Sequence, residues 1–460
     1  MTASAKSQEC MKKLKVDNYE ETDWISSLPD GVLSNILSLM PTKYAFRTSL
    51  LSTRWKSLWA SATTIDLEWY PVGVEKDAYS DFMDFVDRVL LLHNDPNLNR
   101  FRLRYLGYCK PYRLNSWIGA ATKLNVQELD LDLILGFVYV LPRSLFTSIN
   151  LVILKIRGDV SLRYPMVVVL PSLKVLHLHT LATLDEDSLK NVLSGCPILE
   201  ELDIKRDQRG GIETLFICSS TLKKLDLSLV SSSVINEHEL YGVVIKAPAL
   251  EILRMKENVT KPFHFDELPS LVKAELDVSV PEGSSYKDDH FKLVDGILAK
   301  IPNVEQLRLS GHTLQVILQA SAYVFFNNLN NLQIDICHAI QWANFPELLG
   351  HMPNLKVLIL IKAKRMHLNC FWQTSQNRPE CLSLCLEKII FRGFEASKVE
   401  LKLLRYLLGN AMVLKHLSLT SFSRNEQVKK QILKFPRGSS TCEIELLEEN
   451  CLLAPRRSGF

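Results

Sequence analysis

The sequence lacks any uninterrupted apolar run close to the roughly 20 residues that a helix needs to cross a bilayer. Its first residues, MTASAKSQECMKKLKVD, include lysines but no apolar core of the kind that marks a secretory signal. We therefore expect a soluble protein of the cell interior, with reduced thiols and no membrane partner. The stretch MKKLK is too short and too weakly basic to predict nuclear import, so cytoplasm and nucleus both stay open.

The chain also lacks a strong excess of charge of either sign. Its 54 basic and 51 acidic residues leave a net charge of +3 over 460 residues. A nucleic-acid binder attracts phosphates with a concentrated basic surface, so this small and evenly spread charge argues against nucleic acid as a partner. The chain is 47% hydrophobic, which is enough for a large folded core.

Recognisable sites for metals, nucleotides and catalysis are missing. The closest cysteine pair, Cys381 and Cys385, has a C-x3-C spacing without a second pair of ligands, which predicts buried thiols. His177 and His179 share one face of a predicted strand, but two histidines without a third ligand are typical of surface residues. Nucleotide-binding, zinc-protease and serine-hydrolase motifs are absent. We expect no catalytic residue, no cofactor and no metal ion.

A short helical module occupies residues 24–60, where apolar residues recur at helical spacing in three stretches. Pro29 begins the first stretch and Pro41 ends it. Thr42 and Ser52 are the predicted N-caps of the second and third, because their hydroxyls can accept from free backbone amides. Three helices of about ten residues bury only a modest core, so such a unit tends to be completed by a partner.

A six-residue pattern with apolar residues at positions 1, 4 and 6 repeats from about residue 98 onwards. This spacing places alternate side chains on one face of a short strand. Clear copies begin at Leu173, Leu199, Leu222, Leu250, Val304, Leu355 and Leu414, and weaker copies begin at Leu98, Val126, Leu151, Leu271, Leu329 and Leu386. Their spacing averages about 26 residues, as in leucine-rich repeats, and its irregularity predicts outer segments of variable length.

Helices are predicted between many of these strands. In DEDSLKNVLSGCPILEELDI, Asp185 is the predicted cap and Gly195 the predicted left-handed stop. Another helix, over 78–92, is predicted to cap the array. The fold class is therefore α/β: a curved solenoid with a parallel sheet on its concave face and helices outside. A doubly wound enzyme fold would need about six continuous apolar strands and a phosphate or nucleophile loop, which are not found.

The helical module resembles the F-box over its full length, from LPDGV at Leu28 through MPTK at Met40 to LSTRW. Met40 replaces the common leucine, and Thr53 stands where lysine is frequent. The resemblance implies that the module binds a Skp-type adaptor, which in turn docks on a cullin. The positions that match adaptor-facing residues are Leu28, Pro29, Ile36, Leu37, Leu39, Pro41, Leu50, Leu51, Trp55 and Leu58. Some of these must form the module's own core, and the sequence does not sort them.

Residues 379–446 resemble the FBD region of plant F-box proteins, through PECL, FRGF, VLKHLSL and FPRGSSTCEIEL. Physically this region continues the solenoid and closes it with the strand CEIEL, since a terminal edge needs capping. The expected division is a disordered tail over 1–21, the F-box over 22–68, a helical linker or cap over 69–97, leucine-rich repeats over 98–378, the FBD region over 379–447 and a flexible tail over 448–460.

The combined resemblance implies a non-catalytic substrate receptor of an SCF-type (Skp–cullin–F-box) ubiquitin ligase. Such a chain would bind the adaptor through its F-box and an unknown protein target through its repeats, leading to target ubiquitination. Two alternatives stay open: a co-receptor for a small, hormone-like molecule, and a repeat scaffold that works without a ligase.

Overall fold

The structure is a computed structural model, and it describes most of the 460 residues. The described ranges are 24–70, 76–162, 167–180, 186–206, 214–229, 242–257, 263–278, 294–319, 324–337, 342–362, 378–421 and 426–448. The expected N-terminal tail, the predicted cap at Asp185 and the residues from 449 onwards lie outside these ranges.

Three short helices open the described chain. They are α1 (Asp30–Ser38), α2 (Thr42–Arg47) and α3 (Trp55–Leu58), with single 3-10 turns over Thr48–Leu50 and Trp59–Ser61. The two predicted caps are wrong. Pro41 occupies the N-cap of α2, so the Thr42 hydroxyl is free to accept from the backbone amide of Asp66 at 2.7 Å. Arg54, not Ser52, is the N-cap of α3.

A single parallel sheet of 15 strands follows directly. Its members in spatial order are β1 (Thr64–Trp69), β2 (Arg100–Leu106), β3 (Glu128–Ile134), β5 (Ile153–Gly158), β7 (Val175–Thr180), β8 (Glu201–Arg206), β10 (Lys224–Leu229), β12 (Ile252–Glu257), β14 (Lys273–Val278), β15 (Gln306–Ser310), β16 (Asn331–Ile336), β17 (Val357–Lys362), β18 (Lys388–Phe394), β19 (His416–Ser421) and β20 (Glu443–Glu448). The 15 strands run in chain order, as expected for a solenoid.

Five shorter strands form two small parallel sheets between these repeats. β4 (Tyr139–Val140) pairs with β6 (Val160–Ser161), and β11 (Gly242–Lys246) lies between β9 (Thr214–Cys218) and β13 (Phe263–Phe265). The remaining helices are α4 (Lys76–Leu92), α5 (Pro111–Lys123), α6 (Glu186–Ser194), α7 over residues 294–299, α8 (Gly311–Gln319), α9 (Phe345–Gly350), α10 (Glu380–Leu384), α11 (Lys398–Asn410) and α12 (Glu426–Leu433), with 3-10 turns over Arg143–Thr147 and Trp342–Asn344.

Alternation along each strand separates two faces of the large sheet. In β2, Phe101, Leu103 and Tyr105 are buried, and the intervening arginines are partly exposed. The same in–out pattern recurs along the sheet, and the inward residues pack with helix side chains such as Val86 and Trp117 into one hydrophobic core. The other face is the concave face of the solenoid, lined mainly by polar and charged residues.

The predicted strand starts fall close to the observed ones, typically two residues ahead of them. The strand β1 was not predicted, and it pairs in register with β2 from Thr64 to Trp69. The prediction for Gly195 is wrong, because Gly195 is not among the glycines with a positive φ. Glycine is needed there because the Val168 backbone lies too close for a side chain. A Cβ atom at position 195 would lie 2.5 Å from the carbonyl oxygen of Val168.

Candidate docking surfaces

The structure divides the ten predicted adaptor-facing residues into exposed, partly buried and buried positions. Pro29, Ile36, Leu39, Pro41, Leu50 and Leu51 are exposed, Leu28 is partly buried, and Leu37, Trp55 and Leu58 are buried. The exposure is large for three leucines: 88% for Leu39, 86% for Leu50 and 69% for Leu51. Large exposed apolar side chains grouped on one small module mark a surface for a protein partner.

The helix α1 explains this division because it has two apolar stripes. Leu33 and Leu37, four residues apart, face inward and are buried. Val32, Ile36 and Leu39 recur at helical spacing on the outer side and are exposed. Val32 was not among the predicted residues, although its i, i+4, i+7 spacing with Ile36 and Leu39 marks it. A surface helix normally has one apolar stripe, which faces the protein core. The second stripe of α1 faces outward.

Two further exposed residues precede the helices. Trp24 is 76% exposed and Ile25 is 60% exposed.

Arg54 holds the segment before α1 by donating from its guanidinium to the Ser26 and Leu28 carbonyl oxygens, each at 2.5 Å. The same guanidinium donates to the Asp30 carboxylate at 2.8 Å. One planar arginine therefore fixes the path by which the chain enters α1.

Aromatic contacts and a hydrogen bond join the helical module to the first repeat. The Phe46 ring lies 5.0 Å from Trp59 and 5.6 Å from Phe85 on α4, both edge to face. The Thr63 amide, just before β1, donates to the Ser38 hydroxyl at 2.9 Å. The helices and the sheet therefore share one packed core, with no linker between α3 and β1 other than residues 59–63.

Ion pairs cover the central part of the concave face. Arg254, Glu275 and Arg308 lie side by side on β12, β14 and β15. Glu275 lies 3.2 Å from Arg254 and 3.6 Å from Arg308, and Arg308 also contacts Asp335 at 2.7 Å. Burial opposes ionisation of Glu275, but hydrogen bonds and charges from Lys273 and Arg254 hold its pKa below the ordinary value. The central surface thus neutralises its own charge.

The predicted pair His177 and His179 does lie on this face. Their rings stack at 6.0 Å, and their Nε2 atoms hydrogen-bond to Glu201 at 3.1 Å and Asp203 at 2.8 Å. Burial lowers the pKa of His177 below its ordinary value. Within the described ranges no cluster of three or more histidine, cysteine or acidic side chains has the geometry of a metal site.

A buried ion cluster joins the last repeats to the C-terminal segment. Lys362, at the end of β17, contacts Glu395 at 2.8 Å and Glu400 at 2.6 Å. Glu400 also completes a capping box for α11, accepting from the Ser397 amide at 2.8 Å. Sequence reasoning missed this cluster, because the predicted solenoid gave no reason to pair residues 362 and 400.

Three of the cysteines illustrate what burial does to the thiols. Burial raises the pKa of Cys109, Cys196 and Cys381 to about 12 each. A thiol in this state is not a nucleophile at neutral pH.

No helix in the described ranges combines the length and the apolar character needed to cross a bilayer.

Comparisons with known proteins match this architecture. The family model of the F-box domain matches residues 25–63, and the model of the FBD matches residues 373–419. A third, described as FBD-associated F-box protein At5g56370, LRR repeats, matches residues 114–268. The molecule is therefore of the class that combines an F-box with a leucine-rich-repeat solenoid and a C-terminal FBD.

Whole-length relatives define the family. The chain is 31% identical to the F-box/FBD/LRR-repeat protein At1g78750 of Arabidopsis thaliana over 457 residues, covering 95% of this chain and 99% of the relative. It is also 31% identical to the Arabidopsis F-box/LRR-repeat protein 13, covering 95% of this chain and 99% of the relative. The chain belongs to the F-box/FBD/LRR-repeat family.

Proposed function

We propose that this chain is the substrate-receptor subunit of an SCF-type ubiquitin ligase. The F-box binds a Skp-type adaptor and through it a cullin, and the repeats hold a protein target for ubiquitination. The observation that carries this proposal is the exposed apolar surface of the F-box, above all Leu39 and Leu50. Leucines at this exposure on so small a module need a partner to cover them.

The adaptor contact comes from the exposed members of the predicted set together with the partly buried Leu28. Leu28, Pro29, Ile36, Leu39, Pro41, Leu50 and Leu51 form it, and exposed Val32 extends it. Leu37, Trp55 and Leu58 support this surface from within the core. The proposed division of the chain is the F-box over 22–68, the cap over 69–97, the repeats over 98–378 and the FBD region over 379–447.

The chain's own role is to supply proximity. Ubiquitin transfer takes place on partner subunits, and the receptor raises the effective concentration of target lysines near the charged carrier. This makes the chain a non-catalytic subunit that acts in the cytoplasm, the nucleus or both. It needs no cofactor for this role.

A protein target fits the centre of the concave face better than a small molecule does. The central cavity of this face has a volume of about 240 Å³. This is below the roughly 300–1,000 Å³ of typical small-molecule sites. Its three cations, Arg254, Lys256 and Arg308, are matched by four acidic side chains, Asp226, Glu275, Asp277 and Asp335. A compensated surface offers no free positive charge to an anionic ligand.

Co-purification with a recombinant Skp-type adaptor tests the docking claim. The double variant Leu39→Asp with Leu50→Asp should lose the adaptor, because two carboxylates would be buried in an apolar interface. Leu91→Asp is the matched control, since Leu91 is 82% exposed at the end of α4 and lies outside the surface. Recovery of the adaptor by the double variant at the wild-type level would disprove the docking claim.

A reconstituted ubiquitination assay separates a ligase subunit from a scaffold. Wild-type chain, adaptor, cullin complex and carrier are combined with a captured target. The proposal predicts target ubiquitination that disappears with the adaptor-binding variant. A complex that assembles fully but never modifies a bound target would favour the scaffold.

A further inference from the structure

The strand β17 differs from the strands before it. It carries five aliphatic residues in succession, VLILI. Leu358 and Leu360 point inward and are fully buried, whereas Val357, Ile359 and Ile361 point to the concave side and are only partly buried. A continuous aliphatic run is typical of a strand that is covered on both faces. Among the described residues, only the inward face of β17 is fully covered.

The neighbouring strand β18 enlarges this apolar area. Ile390 lies directly beside Ile359 in the register, and the two strands are separated by about 4.8 Å. Val357, Ile359, Ile361 and Ile390 therefore form one area of the concave face, which we term the isoleucine patch. It contrasts with the ion pairs that cover the strands before it.

Two exposed cations border the isoleucine patch. Lys388 lies beside Val357, and Arg392 lies beside Ile361. On their other side stand His416 and Thr420 of β19, neither of which is acidic. Within the described chain, no carboxylate forms an ion pair with either cation. Both side chains are exposed, so their positive charge faces the solvent beside an apolar surface.

The part of the concave face from β5 to β16 behaves differently. From β5 to β16, all its lysine and arginine side chains lie within 4.0 Å of a carboxylate. These are Lys155, Arg157, Lys205, Lys224, Arg254, Lys256, Lys273 and Arg308. A partner that bound there would have to desolvate charges that are already paired, which costs free energy. The isoleucine patch presents no such obstacle.

We infer that the isoleucine patch is the place where the target binds, and that the target presents an acidic, apolar segment in extended form. One branched or aromatic side chain covers Ile359 and Ile390, and a neighbouring aspartate or glutamate pairs with Arg392 or Lys388. Apolar contact supplies affinity and the charge pair supplies orientation. This inference rests on the proposed function, because it names the target class for the same receptor.

Selection from a phage-displayed library of random peptides tests the inference. The bait is the purified full chain, with and without the Skp-type adaptor. Wild type should enrich peptides that place an acidic residue within a few positions of a large apolar one. Ile361→Asp should reduce the binding of these peptides by about tenfold or more, because it puts a carboxylate on the patch.

A charge reversal provides a variant that leaves the core untouched. Arg392→Glu should shift the enriched peptides from acidic to basic, which a merely unfolded chain would not do. Arg405→Glu is the matched control, since Arg405 is exposed on α11, away from the concave face. Enrichment that shows no acidic preference, or that Arg392→Glu leaves unchanged, would overturn the inference. So would a wild-type dimer that Ile361→Asp dissociates, because a second copy would then be the occupant.

The same preparations separate this inference from the proposed function. Ile361→Asp and Arg392→Glu should recover the adaptor at the wild-type level, because they are far along the sheet from the F-box. A chain that binds the adaptor but selects no peptides would contradict the patch alone. A chain that selects the peptides but never binds the adaptor would contradict the ligase role and leave the patch standing as a binding surface.

Discussion

Lys362 and Glu400 form an ion pair whose two side chains are both fully buried, with 2.6 Å between Nζ and Oε1. The pair links the strand β17 to the helix α11, and so joins the repeats to the C-terminal segment. Two hydrogen bonds from the backbone amides of Glu395 and Ser397 also reach the Glu400 carboxylate. The lysine therefore neutralises a carboxylate that the helix cap already holds in place.

Breaking the Lys362–Glu400 ion pair should destabilise the fold. Lys362→Met removes the positive charge and leaves Glu400 buried without its counterion, which should lower the free energy of unfolding by about 3–5 kcal/mol. Equilibrium denaturation measures the change. Lys415→Met is the matched control, since its 3.0 Å pair with Glu387 is exposed. The control should cost less than about 1 kcal/mol, and equal losses in both variants would contradict the argument.

Replacing Arg54 should weaken adaptor binding without removing any adaptor contact. Arg54→Lys keeps the charge but loses the planar fork that reaches the Ser26 and Leu28 carbonyls, so the segment before α1 should lose its fixed path. We expect adaptor affinity to fall by roughly tenfold in a titration, about 1.4 kcal/mol. Asp30→Asn should have a smaller effect, because those two carbonyl bonds persist. A larger effect of Asp30→Asn would show that the ion pair matters more.

Gly195 and Gly119 should respond in opposite ways to alanine. The Gly195 Cβ would meet the Val168 carbonyl at 2.5 Å, so Gly195→Ala should destabilise by about 1–3 kcal/mol. Gly119 lies in α5, where an added Cβ would have no neighbouring atom within 4 Å, so Gly119→Ala should stabilise by roughly 0.5–1 kcal/mol. Thermal unfolding of both variants checks the signs. A stabilising Gly195→Ala would contradict the close approach.

Acid should destabilise the fold in two stages. Burial lowers the pKa of His177, so the unfolded state binds its proton first and stability falls as the pH drops below about 6.5. Asp203 and Glu201 are partly buried, which opposes their ionisation, but bonds from His179 and from Lys224 respectively lower their pKa values. Their contribution is complete above about pH 5 and is lost progressively as the pH falls below it.

Denaturation curves between pH 7 and pH 3 measure both stages. The variant His177→Gln should reduce the first stage and leave the second, because burial also lowers the pKa of His93, which supplies the rest of the first stage. If the free energy of unfolding of wild type is constant between pH 7 and pH 5, the assignment of the first stage to His177 is wrong.

Most of the fold could be predicted because its signal is local. Each L-x-x-L-x-L copy contains its own strand, and the inward leucines such as Leu358 and Leu360 fall at the predicted alternate positions. The strand β1 was missed because Ala62 and Ile65 stand where the pattern has its first two leucines, although the apolar residues of β1 alternate. A search for alternation alone would have found it.

The docking residues were harder to predict because every apolar residue of a short helix is a candidate for the core. Only packing shows that Leu37 faces inward while Ile36, its neighbour, faces outward. The isoleucine patch could not be predicted for a similar reason. Ile359 and Ile390 are 31 positions apart, and their contact depends on the register between β17 and β18.

The direct passage from the F-box into β1 has a mechanical consequence. The same sheet that begins at the helices runs without a break for eleven interstrand steps to β17, a path of roughly 50 Å along its arc. The sheet thus fixes the distance between the F-box and the isoleucine patch, and under the proposed function this distance would decide which target lysines reach the carrier. Each strand added or removed between β1 and β17 would change the distance from the F-box to the isoleucine patch by about 5 Å.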